Sequence, residues 1–219
     1  FGIGQVFGMH NMPGLPVGHF AIRPGPIMAA TAEFTLRIKG RGGHAAIPHA
    51  TIDPIVIGSH LVSALQSIVA RSTDPVESLV VSVTKFHAGD AYNVIPETAE
   101  LAGTVRTLKP EVAQIAEQRM RAICTGIAGS FGAEIEFDYD ANYPVTFNHA
   151  EETVFAADVA AAIAGETNVH RDIQPLMGGE DFSYMLQARP GAFIFLGNGD
   201  TAGLHHPAYD FNDDTAAYG

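Results

Sequence analysis

Residues 32–40 read AEFTLRIKG, with Phe34, Leu36 and Ile38 alternating against Thr35, Arg37 and Lys39. Successive side chains on an extended chain point to opposite faces, so this stretch is a strand with one apolar and one charged face. An apolar face needs a covering layer. The next segment supplies one. In DPIVIGSHLVSALQSIVARS (53–72), Ile57, Leu61, Leu65 and Ile68 recur at helical spacing. Asp53 suits the N-cap, and Pro54 the first helical position, where its missing N–H would have no partner anyway.

The pattern continues downstream. SLVVSVTKFHAG (78–89) is β-branched and mostly alternating, and ETAELAGTVRTL (97–108) follows as its hairpin partner or near neighbour. PEVAQIAEQRMRAICTGIAGSFG (110–132) carries an apolar stripe of Val112, Ile115, Ala116, Met120, Ile123 and Ile127, opened by Pro110 and closed near Gly132. AEIEFDYD (133–140) alternates Ile135, Phe137 and Tyr139 as a last strand. The order over 31–140 is therefore β-α-β-β-α-β. This is the ferredoxin-like split βαβ, a four-stranded sheet with both helices on one face.

Outside this block the texture changes. Residues 1–30 are turn-rich, with only GQVFGM strand-like. After 141 come a connector (ANYPVTFNH), an Ala-rich helix, a Gly turn opening a short helix (GGEDFSYMLQ), and a buried strand (GAFIFLGNG). Both flanks offer short strands that end in Gly- or His-bearing loops, as ligand sites in open α/β sheets do. The expected organisation is an α/β domain made of residues 1–30 and 141–219, interrupted by an inserted domain at 31–140.

Composition narrows the function classes. A net charge of −12 argues against a nucleic-acid surface, which needs a basic stripe. No unbroken apolar run reaches the roughly 18 residues of a membrane span, since Gly, Ser and His interrupt each one. No signal-peptide pattern is seen, and the single cysteine, Cys124, rules out an internal disulfide framework. The expected compartment is the cytoplasm.

Ten histidines are present, and His10, His19, His44, His49, His205 and His206 sit in or beside turn punctuation. His10 follows the strand-like QVFGM, where it can reach a pocket or serve a structural role. His205 and His206 lie in GLHHP; adjacent residues on an extended chain diverge, so at most one serves a given metal ion. His44 follows flexible glycines and pairs badly with His49 across Pro48; it suits donation to a substrate oxygen. Glu180 could face a pocket, while Asp181 suits a cap on the following helix. Arg106 sits among small residues, placed either to grip a carboxylate or to make a surface ion pair. Cys124 lies within the amphipathic helix and reads as structural.

Taken together, FGMHNMPGLPVG, RPGPIMAA, GRGGHAAIPH, AGDAYNVIPETAELAGTVR, GGEDFSYML, PGAFIFLGNG and LHHPAYDFND resemble the M20 metallopeptidases, in their amidohydrolase branch. That branch includes hippurate hydrolase and other N-acyl-amino-acid amidohydrolases. The resemblance runs end to end and implies a catalytic α/β domain binding two divalent metals (Zn, Mn, Co or Ni), interrupted by a ferredoxin-like lid. It implies His10 and His205 as metal ligands, and His44 as the lid histidine that polarises the scissile carbonyl, often across a dimer interface. Asn93 and Arg106 resemble substrate-contacting lid residues, and Glu180 an acid near the pocket. The implied substrate is a small N-acyl amino acid or peptide-like amide, and the implied assembly a homodimer through the lid.

One departure is large. The family's Cys-Gly-His-Asp-x-His and Glu-Glu motifs, which supply its other ligands and the general base, do not occur in this sequence. The chain is expected to be the C-terminal portion of such an enzyme, inactive alone and binding divalent metal weakly or not at all. A metallo-dipeptidase or carboxypeptidase of the same clan, or a non-catalytic dimerisation module, are the alternatives.

Overall fold

The computed structural model describes residues 2–219. In chain order the strands and helices are β1 (Val6–Pro13), β2 (Phe20–Ala21), β3 (Gly25–Met28), β4 (Ala30–Lys39), β5 (Gly43–His44), α1 (Pro54–Ser67), β6 (Leu79–His87), β7 (Val94–Ile95) and β8 (Thr98–Thr107). They continue as α2 (Pro110–Phe131), β9 (Glu134–Ala141), β10 (Thr146–Asn148), α3 (Ala150–Ala164), β11 (Val169–His170), α4 (Ser183–Ala188) and β12 (Gly191–Gly199). The fold class is mixed α/β, as the sequence indicates. The chain divides into two compact units: Ala30–Tyr143, and a second that joins the segment through Ala29 to Pro144–Gly219.

The middle unit is built on an antiparallel sheet of order β6-β8-β4-β9. Phe34, Leu36 and Ile38 of β4 are buried, and they share one core with Ile57, Leu61 and Leu65 of α1 and Val112, Ala116, Met120 and Cys124 of α2. Both helices therefore cover the same sheet face. Each fully buried Leu or Ile here is worth about 1.5–3 kcal/mol relative to exposure. The opposite face is charged: Arg37 pairs with Glu100, Glu136 and Asp138.

Local signals act as their chemistry requires. Asp53 accepts from the N–H groups of Ile55 (2.8 Å) and Val56 (3.4 Å), capping α1. Gly132 ends α2 at φ +69°, where a side chain would be strained. Gly103 is needed for another reason. A Cβ there would stand 2.0 Å from the Ser82 carbonyl oxygen and 2.5 Å from the Phe34 ring.

α1 runs on through a π turn, Ile68–Ser72. The resulting 19-residue helix, mean hydropathy 1.2, is long and apolar enough to cross a membrane. This corrects the expectation from unbroken runs, because a helix averages over its polar interruptions. Ile57, Leu61, Leu65 and Ile68 are fully buried, which makes it the core helix of this unit.

The outer unit contains a sheet of order β1-β12-β2-β11. β1 and β12 are parallel, from Val6↔Gly191 to Pro13↔Gly199. β12 is buried along almost its whole length. β3 and β10 form a separate antiparallel ribbon. Residues 1–30 and the connector 141–149 thus hold more strands than their turn-rich sequence suggested. Strands of two to four residues are too short to show alternation.

Candidate metal and substrate site

Because β1 and β12 are parallel neighbours, their C-terminal ends emerge at the same edge of the sheet, Pro13 beside Gly199. His10 lies near that end of β1, and the loop carrying His205 leaves that end of β12. The half-buried His10 lines a cavity of about 400 Å3 with Asn11, Leu196, Phe211 and Thr215. Its Nδ1 lies 2.7 Å from the Asn11 carbonyl oxygen. A carbonyl only accepts, so Nδ1 carries the proton and the neutral ring keeps its lone pair on Nε2. A backbone carbonyl on the far nitrogen is the usual arrangement behind a metal-ligating imidazole.

The loop after β12 is organised by Asn198, which is fully buried. Its Nδ2 donates to Thr201 Oγ1 (2.9 Å) and the Asp210 carbonyl (3.0 Å), and its Oδ1 accepts from the Asn212 N–H (3.0 Å). Within this loop the two histidines separate clearly. His206 Nδ1 accepts from the Ala208 N–H at 3.0 Å, so that nitrogen is used locally. His205 is exposed, with φ +62°, and is the single non-glycine residue at positive φ among the described residues. Side chains at such angles cost on the order of 1–3 kcal/mol and concentrate where function demands a direction. Tyr209, four residues on, accepts a short hydrogen bond from Asn11 Nδ2. That bond ties the His205 loop to the residue following His10.

Glu180 Oε1 accepts from the Phe182 N–H at 3.3 Å. Asp181 does not cap α4, contrary to the sequence expectation; no side chain does. Burial raises the Glu180 carboxyl above its ordinary range; the Phe182 N–H opposes this, Asp181 adds to it, and the nearby His10 opposes it.

In the middle unit, a short ribbon pairs β5 with β7, His44 opposite Val94. The Ala45 N–H donates to the Asn93 carbonyl at 3.0 Å. The structure thereby brings His44 and Asn93 side by side, both exposed. Nothing in the glycine-rich sequence before His44 signals this pairing. His44 Nδ1 accepts from the Ala46 N–H (3.0 Å), which makes Nε2 the protonated, outward-facing donor of the neutral ring. Arg106 stands apart. It faces Thr31 at one end of β4, whereas the ribbon adjoins the Lys39–Thr98 end. Eight residue steps of β8 separate Thr98 from Arg106, about 26 Å. The partners of the Arg106 guanidinium are neutral, the Thr104 hydroxyl and the Val105 carbonyl, so a surface ion pair is not its role in this structure.

Asn11, Asn198 and Tyr209 were not singled out from sequence. The cue available was an Asn at the end of each strand, in MHNMP and GNGD.

Two imidazoles of suitable chemistry are a partial donor set. Among the described residues, no three His, Cys, Asp or Glu side chains gather as a metal site. His10 and His205 carry imidazoles, a ligand type that suits transition metals, and the described residues gather no fuller donor set around them.

The family model for peptidase family M20/M25/M40 matches residues 1–219. The chain belongs to this M20 family. It is 41% identical to an N-acetylcysteine deacetylase of Bacillus subtilis and 40% identical to a hippurate hydrolase of Campylobacter jejuni. Each match covers 97% of the chain and 55% of the relative. In structure the M20 chain is similar to the YxeP protein of Bacillus subtilis, described as a dinuclear metal-binding peptidase, with a TM-score of 0.78 at 34% identity, over 99% of this chain and 55% of that one. The chain thus spans about half the length of the relatives it matches.

Proposed function

We propose that this M20 chain is the working partner of further sequence in a metal-dependent amidohydrolase that cleaves N-acyl amino acids to an amino acid and a carboxylic acid. The observation that carries the proposal is the placement of His10. It sits at the shared end of two parallel strands, its Nδ1 committed to a carbonyl, its neighbour Asn11 bonded to the loop that holds His205. The names of the deacetylase and hippurate hydrolase relatives support the substrate class.

His10 and His205 would hold metal. Two divalent ions in such a centre supply a water that is nucleophilic near neutral pH and a polarised carbonyl. His44 donates from Nε2 to the developing oxyanion. Arg106 is suited to a carboxylate. His44, on the ribbon that adjoins the Lys39–Thr98 end of the sheet, and Arg106, at the other end, are too far apart to grip one small substrate from the same copy. That separation supports a homodimer through the middle unit, in which the two residues serve different sites.

The test uses the protein at its relatives' full length, loaded with Zn2+ or Mn2+ and offered N-acyl amino acids alongside dipeptides. Turnover of N-acyl amino acids, lost with chelator and in His10→Ala and His205→Ala, is expected. Undiminished turnover in His10→Ala overturns the site, and exclusive dipeptide cleavage overturns the substrate class.

A further inference from the structure

A second pair of histidines lies outside the site described above. His19 leads into β2 and His170 lies on β11, and His19 Nδ1 is 3.2 Å from His170 Nε2. The ring centroids are 5.4 Å apart and the planes differ by 20°. The centroid separation exceeds the nitrogen separation by about two ring radii. The nitrogens therefore face each other along the line between the rings, in a nearly coplanar, edge-to-edge arrangement.

We propose that His19 and His170 form a bidentate site for a divalent transition metal of the imidazole-preferring class, Zn2+, Ni2+ or Cu2+. The first argument is spacing. With metal–nitrogen bonds of about 2.0–2.1 Å, two cis ligands stand about 2.9 Å apart at a right angle and about 3.3 Å apart at the tetrahedral angle. The observed 3.2 Å lies between these values. For the lone pairs to converge on one ion, each ring turns from this facing arrangement by roughly 35° for the tetrahedral angle and roughly 45° for the right angle.

The second argument is rigidity. The His19 carbonyl accepts from the Gly197 N–H at 2.9 Å, its N–H donates to the Pro16 carbonyl at 3.0 Å, and the His170 carbonyl accepts from the Ile22 N–H at 2.9 Å. Both imidazoles thus hang from backbone pinned within the sheet, which lowers the ordering entropy that metal binding must overcome.

The third argument is charge and access. His170 is exposed and His19 half-buried, so an ion can enter and water can complete its coordination. Arg171, the neighbouring cation, is held by Glu166 and Asp158 at 2.8–2.9 Å and is neutralised there. Imidazole ligands favour Zn, Ni and Cu over Mg or Ca. On binding, the proton between the rings moves to a far ring nitrogen or to solvent, leaving both facing nitrogens free to ligate. The ion would bridge β2 to β11, a strand pair only two residues long, and so fasten the edge of the sheet.

The experiment titrates this chain, in the His10→Ala/His205→Ala background, with Cu2+ followed by electron paramagnetic resonance and with Zn2+ followed by thermal unfolding. One equivalent of Cu2+ with coupling to two imidazole nitrogens, and a Zn2+-dependent rise in Tm, are expected. Each of His19→Ala and His170→Ala should weaken binding at least about tenfold and remove the Tm rise. His170→Gln, which keeps a polar side chain, separates ligation from packing and should also lose the signal. Binding that survives in His19→Ala, or a spectrum of single-imidazole coordination, overturns the proposal. Because the background lacks the family ligands, the outcome is independent of the amidohydrolase reading.

Discussion

On α1 of the middle unit, Ile57, Leu61 and Leu65 follow one another at four-residue spacing and are fully buried. On α3 of the outer unit, Phe155, Val159 and Ile163 have the same spacing and are 57%, 44% and 54% exposed. Identical helical periodicity gives opposite outcomes because burial depends on what lies opposite. α1 lies beside α2 on one sheet face, and the two helices and the sheet share a single core. α3 turns Ala157 and Ala160 to its sheet and leaves its large side chains over a groove of about 250 Å3, shared with Phe7, Met9 and Tyr218. β1 ends the sheet, with Phe7 and Met9 43% and 45% exposed. An apolar patch beside an unpaired strand edge marks a surface suited to interaction. The apolar face of α1 is covered within its own unit, and that of α3 is not.

Breaking the core under α1 should have the largest effect. Leu61→Ala is expected to cost about 2–5 kcal/mol in urea unfolding. Cys124 reports the opening directly: it is buried, burial pushes its thiol up to about 11, and a thiol reagent should label it only as the middle unit opens. Next comes the tie within the outer unit. Tyr209→Phe removes the hydrogen bond from Asn11 and should cost about 0.5–1.5 kcal/mol, with a shift of the His10 ring resonances in NMR. His205→Gly should have the reverse sign, gaining up to about 1 kcal/mol as the positive φ is relieved, while full-length enzyme activity is lost. The smallest change is expected for Phe155→Ser, within about 0.5 kcal/mol in this chain. A cost as large as that of Leu61→Ala would show that α3 is already packed in solution.

The parts of the fold with a period were legible. Phe34, Leu36 and Ile38 declared their strand, and Ile57 to Ile68 their helix, because a repeating burial pattern is written at every position. Two-residue strands carry no period. The β5–β7 ribbon, which sets His44 beside Asn93, therefore leaves no signal in the sequence. The histidine twins show the same limit. Sequence could say that they diverge, but not that His206 is held by the Ala208 N–H while His205 takes a left-handed turn. Asn198 was invisible because its role is to satisfy three groups across a loop, and no spacing rule describes that.

The pairing of β1 with β12 bears on the order of assembly. Val6 and Gly191 are 185 positions apart (191 − 6), a long stretch of chain to close. The middle unit removes most of that span, because the Thr31 N–H donates to the Tyr143 carbonyl at 2.9 Å and brings its two ends together. Once it is folded, the closure left for the outer sheet resembles that of a loop less than half as long. The entropic saving is only about 1 kcal/mol. The kinetic consequence is a sequence of events. The inserted unit can fold while β12 is still being synthesised, and the ends it brings together then guide β12 to β1.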